Sequence, residues 1–155
     1  MVVRVLIIVL ALAGLADALY FTFAYYGRIK KARWVPEVLC AREESSCVNV
    51  VQTPYARVFG LPNSLFGIVY YLFLMLGTTS DWGAEITPAF IAVSGRIVEL
   101  GLLVAIFSSA GTVILGLYLI YSLRRKLHVD CPLCYTAHAV NTVLFILLIL
   151  LAAGI

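Results

Sequence analysis

Four apolar runs divide the chain, and polar or turn-forming residues separate them. They cover residues 5–26, about 64–79, about 97–121 and 132–155. About 20 apolar residues are needed to cross the hydrocarbon core of a bilayer as a helix, and the runs are close to that length. Because lipid cannot satisfy free backbone polar groups, such runs must cross it as helices. The pattern predicts an all-α fold, a membrane bundle of four antiparallel helices.

A cleaved signal peptide is the alternative interpretation of the first run. Its apolar part is too long for a signal peptide, and no small-residue cleavage site follows it before Arg28. The composition also indicates a membrane protein, because 63% of the 155 residues are hydrophobic and only 12% are charged. Such a composition excludes a water-soluble domain. At this length, and without an internal repeat, residues 1–155 are expected to form a single domain.

The four cysteines fall at two places in this topology. Cys40 and Cys47 lie in the loop between the first two helices, whereas Cys131 and Cys134 lie at the start of the fourth. The first and third loops of an antiparallel four-helix bundle share one membrane face. All four thiols are therefore expected to meet on that face.

The spacing divides the cysteines into a fixed pair and a mobile pair. Cys131 and Cys134 form a C-x-x-C motif at a helix start, where backbone N–H groups and the helix dipole favour the reactive thiolate. Cys40 and Cys47 enclose a polar hexapeptide, which lets either sulfur move toward a second disulfide. These features favour redox exchange. Two alternatives stay open, a zinc site with four thiolates and a pair of inert structural disulfides.

A longer set of motifs surrounds the cysteines. It comprises Cys40-x6-Cys47, Thr-Pro-Tyr-Ala-Arg-Val-Phe-Gly at 53–60, Asn-Ser-Leu-Phe-Gly at 63–67, and Cys131-x-x-Cys134 followed by Asn141. This set resembles the vitamin K epoxide reductase family, of the prokaryotic homologue type, over nearly the whole chain. The bacterial disulfide-generating membrane protein of the B type also has four helices and two cysteine pairs. In that protein the C-x-x-C pair comes first, whereas here it comes last.

The resemblance implies a function and an electron path. Members are similar in having a four-helix bundle around a quinone, capped by the first loop and a short amphipathic helical segment, here about 48–61. A thioredoxin-like partner would attack Cys40, Cys47 would exchange with Cys131, and Cys134 would reduce a quinone of the ubiquinone or menaquinone type. The expected function is a membrane thiol:quinone oxidoreductase that drives protein disulfide formation. Reduction of vitamin K epoxide, or a non-catalytic membrane protein with structural disulfides or zinc, are the alternatives.

The same resemblance implies which residues contact the quinone. Asn63 and an aromatic hydroxyl, here replaced by His138, correspond to ligands of the quinone oxygens, and Phe66 lies inside a family motif. Thr53 stands where the family usually has serine, and its hydroxyl can still form a supporting hydrogen bond. Asn63 could instead cap the second helix. His138 could instead make a helix-packing hydrogen bond.

Asp17 is an ionisable residue inside the first apolar run, and the resemblance implies no role for it. An ionisable side chain in a membrane span is costly, so we expect Asp17 to face a partner, a cavity or a proton path. A structural hydrogen bond to another helix and a proton relay are the two interpretations.

The positive charges predict the orientation. Of the 11 Lys and Arg residues, only Arg4 and Arg96 lie on the face opposite the cysteines. The positive-inside rule therefore predicts that the cysteines face the cytoplasm. Familiar members of the family face outward, and this is the alternative. Intracellular disulfides are common in hyperthermophiles, where an inverted enzyme would have a use.

Overall fold

Four helices dominate the computed structural model, which describes residues 2–28, 50–80, 82, 90–93 and 96–154. The helices are α1 (Val2–Tyr25), α2 (Asn63–Thr79), α3 (Leu100–Ser122) and α4 (Pro132–Ala152). Helices α1, α3 and α4 are long and apolar enough to cross a membrane, and α2 is a shorter apolar helix. The predicted four-helix membrane bundle is confirmed.

Two short antiparallel hairpins accompany the helices. The first pairs β1 (Arg57–Val58) with β2 (Leu61–Pro62), and the second pairs β3 (Phe90–Val93) with β4 (Arg96–Glu99). The second hairpin corrects the predicted start of the third helix, because Ile97 lies in β4 and α3 begins only at Leu100. An apolar segment with β-branched residues can form its backbone hydrogen bonds with a neighbouring strand as well as within a helix. A count of apolar residues along the sequence cannot detect that strand partner.

The segment between the first loop and α2 was expected to be amphipathic and to cap the bundle. Within its described part, residues 50–52 are helical, Pro54–Ala56 form a 3₁₀ turn, and the first hairpin follows. Phe59 and Gly60 both have positive φ, 52° and 82°, as a two-residue type I′ hairpin turn requires. The helical part therefore ends at residue 52, and a tight hairpin leads the chain into α2.

Helices α1 and α2 pack closely because small residues lie at two of the points where they contact each other. A Cβ atom placed on Gly14 would overlap the ring of Tyr71, and a Cβ atom on Gly67 would lie 3.4 Å from the Cβ of Ala18. In a membrane, small residues at such positions allow backbones to approach and pack by van der Waals contact. The Tyr71 ring is therefore held tightly between the two helices.

The C-terminal end of α3 leads directly to the C-x-x-C motif. It continues as a π-helical turn, Leu123–Leu127, which ends at His128 in the left-handed conformation with φ 52°. On α4, the Tyr135 hydroxyl donates to Asp130 at 2.9 Å, and the Arg124 side chain lies over the Tyr135 ring. These contacts connect the end of α3, the connecting segment and the start of α4.

Candidate functional site

A disulfide joins Cys131 and Cys134 at the start of α4, with their Cα atoms 5.3 Å apart. Cys131 is the N-cap residue, and its sulfur accepts a hydrogen bond from the Cys134 backbone N–H at 3.3 Å. Pro132 occupies the first helical turn, where its missing N–H costs nothing. The local sequence thus places the sulfur of Cys131 where the helix offers unpaired N–H groups.

The two sulfurs have different surroundings. Cys131 is completely buried and packs in an apolar cluster that includes Phe21, Val50 and Val51. Cys134 is partly buried and lines a cavity of about 340 Å³ between the helices. Cys134 is therefore the cysteine of this pair that lines the cavity, whereas Cys131 does not.

The cavity walls are mainly apolar, with a few polar groups at defined places. All four helices contribute lining residues, and so do the first hairpin and the 3₁₀ turn. Its volume falls in the range typical of small-molecule sites. The polar and ionisable side chains that line it are Asp17, Thr53, Tyr55, Asn63, Ser64, Tyr70, Tyr71, Ser108, Thr112, Ser122, Cys134, His138 and Asn141.

The structure brings most of the residues singled out in the sequence to this cavity. Five of them line it together with Cys134, namely Asp17, Thr53, Asn63, Phe66 and His138. The other two cysteines, Cys40 and Cys47, lie outside the described residues. Residues from α1, α2, α4 and the capping segment, distant in sequence, thus meet around one apolar space.

Asn63 does not cap α2. It is the first residue of that helix, the N-cap position is Pro62, and the cap makes no side-chain hydrogen bond. The N-cap interpretation of Asn63 is therefore wrong. Its amide is partly buried at the cavity wall and makes no side-chain hydrogen bond with a described residue, so its donor and acceptor groups can serve a ligand.

The His138 ring packs against α3 at a position where that helix has no side chain. A Cβ atom on Gly116 would be 2.7 Å from the His138 Nδ1 atom, so only glycine at 116 leaves room for the ring. Nδ1 is buried and has no hydrogen-bond partner among the described residues. The packing hydrogen bond that was one interpretation of this residue is thus not formed at Nδ1. A buried nitrogen of this kind normally needs a partner.

Thr53 is held in place by the turn that precedes the hairpin. Its hydroxyl donates to the backbone carbonyl of Val50 at 2.7 Å. With its proton used in this bond, the oxygen can still accept a hydrogen bond at the cavity wall.

Two polar pairs join helices at or beside the cavity, and neither pairing was predicted from the sequence. The Tyr71 hydroxyl donates to Asn141 Oδ1 at 2.7 Å, and the Tyr70 and Ser109 hydroxyls are 2.6 Å apart. Asn141 belongs to the motif set described above, and as a polar residue in an apolar span it could have been recognised as a site residue. The partners could not be found from sequence because they lie 70 and 39 positions apart.

Aromatic residues of α1 and α2 lie at two different places in the bundle. Phe66, Tyr70 and Tyr71 line the cavity. Tyr25 instead lies at the end of α1, with the Arg57 guanidinium 5.6 Å from its ring centroid, and Tyr26 beside it is exposed. Phe21, Tyr55 and Phe59 also line the cavity, whereas Tyr25 and Tyr26 do not.

A membrane-embedded disulfide that opens on an apolar cavity defines the class, an integral membrane thiol–disulfide protein with space for an apolar small molecule. The model of the vitamin K epoxide reductase family matches residues 5–149. The chain therefore belongs to the vitamin K epoxide reductase family, whose members are quinone-dependent thiol oxidoreductases. A quinone and a membrane follow from this membership.

The cavity fits a quinone by its own chemistry. A quinone head group is flat and apolar except for its two carbonyl oxygens, which accept hydrogen bonds. The cavity offers apolar walls, an amide at Asn63 and, at His138, a buried Nδ1 atom that has no hydrogen-bond partner among the described residues. When bound, the quinone would supply the acceptor for two electrons from the cysteine pair.

Proposed function

We propose that this protein is a membrane thiol:quinone oxidoreductase of the prokaryotic type, which oxidises a thioredoxin-like partner and so drives disulfide formation in other proteins. The observation that carries the proposal is the Cys131–Cys134 disulfide, in which Cys134 lines an apolar cavity and Cys131 is buried in the apolar cluster that contains Val50. A site built in this way can pass electrons from one side to the other.

The assignment of the cysteines follows the two environments. Cys131 lies in the same cluster as Val50, and Cys47 is three residues earlier in the chain, a reach of at most about 11 Å. Cys47 is thus the proposed partner of Cys131, and Cys40 is the proposed target of the thioredoxin-like thiol. Each exchange is an attack of a thiolate on a disulfide that releases another thiolate. Cys134 then faces the quinone.

The proposed quinone contacts are Asn63, Phe66 and His138. Asn63 donates through its amide, Phe66 supplies apolar contact, and His138 donates if its ring carries the proton on the nitrogen facing the oxygen. Thr53 supports the wall through its bond to Val50. On α3, a Cβ atom on Gly111 would meet nothing within 4 Å, so the cavity has open space beside this helix. A ubiquinone or menaquinone with an apolar tail suits such a wall.

An assay with two acceptors tests this proposal against its closest alternative. We expect purified protein, supplied with a reduced thioredoxin-like protein, to reduce an added quinone, with oxidised partner accumulating in a one-to-one ratio. Vitamin K epoxide, offered under the same conditions, distinguishes epoxide reduction from disulfide generation. If the protein reduces neither acceptor, the result would support the non-catalytic alternative and contradict the proposal.

We further propose that the cysteine face is cytoplasmic. Exposed Arg124, Arg125 and Lys126 lie at the disulfide end of α3, and Arg28 follows α1 at the same end, whereas Arg4 lies at the other end of α1. The positive-inside rule counts such residues close to helix ends.

Labelling of intact cells with a membrane-impermeant thiol reagent, after mild reduction, measures this orientation. We expect Cys40 and Cys47 to stay unlabelled until the cells are lysed, because the membrane separates them from the reagent. A cysteine introduced at the exposed Val2, at the other end of the bundle, serves as the control and should be labelled in intact cells. Labelling of Cys40 or Cys47 before lysis would contradict the cytoplasmic orientation.

A further inference from the structure

Asp17 is the one carboxylate that lines the cavity in the described part of the chain, and the proposed electron path does not use it. It is partly buried, and it makes no hydrogen bond or ion pair with any described residue. The structural hydrogen bond to another helix, one of its two interpretations, is thus not observed within the described residues. An ionisable group in a membrane span that has no such partner requires another explanation.

The backbone of α1 directs Asp17 toward Tyr71. Side chains on a helix point toward its N-terminus, so a residue covers the turn that precedes it. The turn before Asp17 contains Gly14, where a Cβ atom would lie 2.7 Å from the Tyr71 hydroxyl oxygen. Asp17 is also close enough to interact electrostatically with Tyr71. The carboxyl group and the Tyr71 hydroxyl therefore occupy neighbouring places on the cavity wall.

The hydrogen bond that Tyr71 makes determines whether its hydroxyl can donate or accept a second one. Its proton is donated to Asn141 Oδ1, so the Tyr71 oxygen has only lone pairs to offer. A protonated Asp17 can donate to that oxygen, whereas an ionised Asp17 cannot. The arrangement thus suits an aspartic acid that holds a proton beside the cavity.

We propose that Asp17 is a proton donor to the quinone, with Tyr71 and Asn141 as its positioning residues. This inference rests on the proposed function. In one turnover the thiols of Cys131 and Cys134 form an S–S bond, two electrons pass to the quinone, and each of its oxygens gains a proton. Asp17 supplies the proton to the oxygen farther from Cys134 and regains one from water. The second thiol proton leaves to water, so the sum is two thiols plus quinone giving disulfide plus quinol.

The distance along α4 explains why a separate donor is useful. Asn141 is seven residues after Cys134, a rise of about 10 Å in an α-helix. The two oxygens of a quinone lie on opposite sides of its ring, so the thiols cannot protonate both directly. A carboxylic acid at the far end of the cavity serves the second oxygen.

Single-turnover kinetics with the full chain tests the proposal. Reduced protein is mixed with a short-chain quinone, and quinol formation is followed by absorbance for wild type, Asp17→Asn and Asp17→Glu. We expect Asp17→Asn to slow quinol formation about 100-fold, as is typical for loss of a general acid, with quinone affinity unchanged. Asp17→Glu should restore most of the rate. Ala16→Ser, which places a small polar group on the lipid-facing side of α1 where its hydroxyl can bond to the helix backbone, should react as wild type.

A spectroscopic measurement on wild type does not depend on the folding of any variant. The infrared difference between quinone-bound protein in ordinary water and in heavy water, taken before turnover, should contain the C=O band of a protonated carboxylic acid, which Asp17→Asn lacks and Tyr71→Phe shifts. Absence of this band in active wild type, or a wild-type rate in Asp17→Asn, would overturn the proton-donor role alone. Wild type that reduces no quinone would instead refute the proposed function, and this inference with it.

Discussion

Replacing Cys134 with alanine is expected to lower quinone reduction to the rate measured without protein. Cys134 is the sulfur that lines the cavity, whereas Cys131 packs behind it in the apolar cluster. Without Cys134, no cysteine in the described part of the chain lines the cavity, so none there can pass two electrons to the quinone by forming a disulfide. The measurement is steady-state quinol formation with the reduced thioredoxin-like partner in excess.

The same variant should also trap an intermediate. In purified variant whose Cys40 and Cys47 have been oxidised to a disulfide with diamide, and without the reduced partner, the Cys131 thiolate should attack Cys47 and release the Cys40 thiolate. No Cys134 thiol is present to reverse this exchange, so a Cys47–Cys131 disulfide should accumulate and appear as a linked peptide pair after proteolysis. Cys131→Ala provides the comparison, because it should lose quinone reduction without forming this pair. Val143→Ala, at an exposed position of α4, controls for changes to that helix. Sustained turnover by Cys134→Ala would contradict the assigned electron path.

Replacing Gly14 with alanine is expected to destabilise the bundle strongly for a change of one methyl group. The new Cβ atom would overlap the Tyr71 ring, which is only 3% exposed and is bonded to Asn141 across the cavity. Tyr71 must therefore move or α1 must separate from α2. Inserting a methyl group into such close packing costs about 1–3 kcal/mol. We expect a lower midpoint of thermal unfolding for the detergent-solubilised protein.

Gly111→Ala is the matched control, because a Cβ atom there meets nothing within 4 Å. Both substitutions exchange glycine for alanine in the middle of an apolar helix, so both gain the same helix propensity. The difference between their unfolding midpoints isolates the contact with Tyr71. Equal midpoints would show that Tyr71 can move aside without cost.

Much of the site could be predicted because its signals are local or belong to a motif. The C-x-x-C pair, the proline in the first turn of α4 and the polar residues 17, 63 and 138 stand out against apolar surroundings. The structural roles of these polar residues were harder to predict. Whether Asn63 caps its helix depends on where α2 begins, and β2 moves the cap position to Pro62. Whether His138 finds a packing partner depends on Gly116 of another helix.

The sequence by itself determined that the chain crosses a membrane as four helices and that two cysteines begin the last of them. Hydrophobic runs and motif spacing are properties of neighbouring residues, so they can be seen without a fold. Only the tertiary structure decided which residues share the cavity, since it depends on how helices separated by long loops face each other. The pairing of Tyr71 with Asn141 and the position of Asp17 beside them belong to that second kind. They exist because Gly14 lets α1 and α2 approach closely, a contact between helices that no local pattern records.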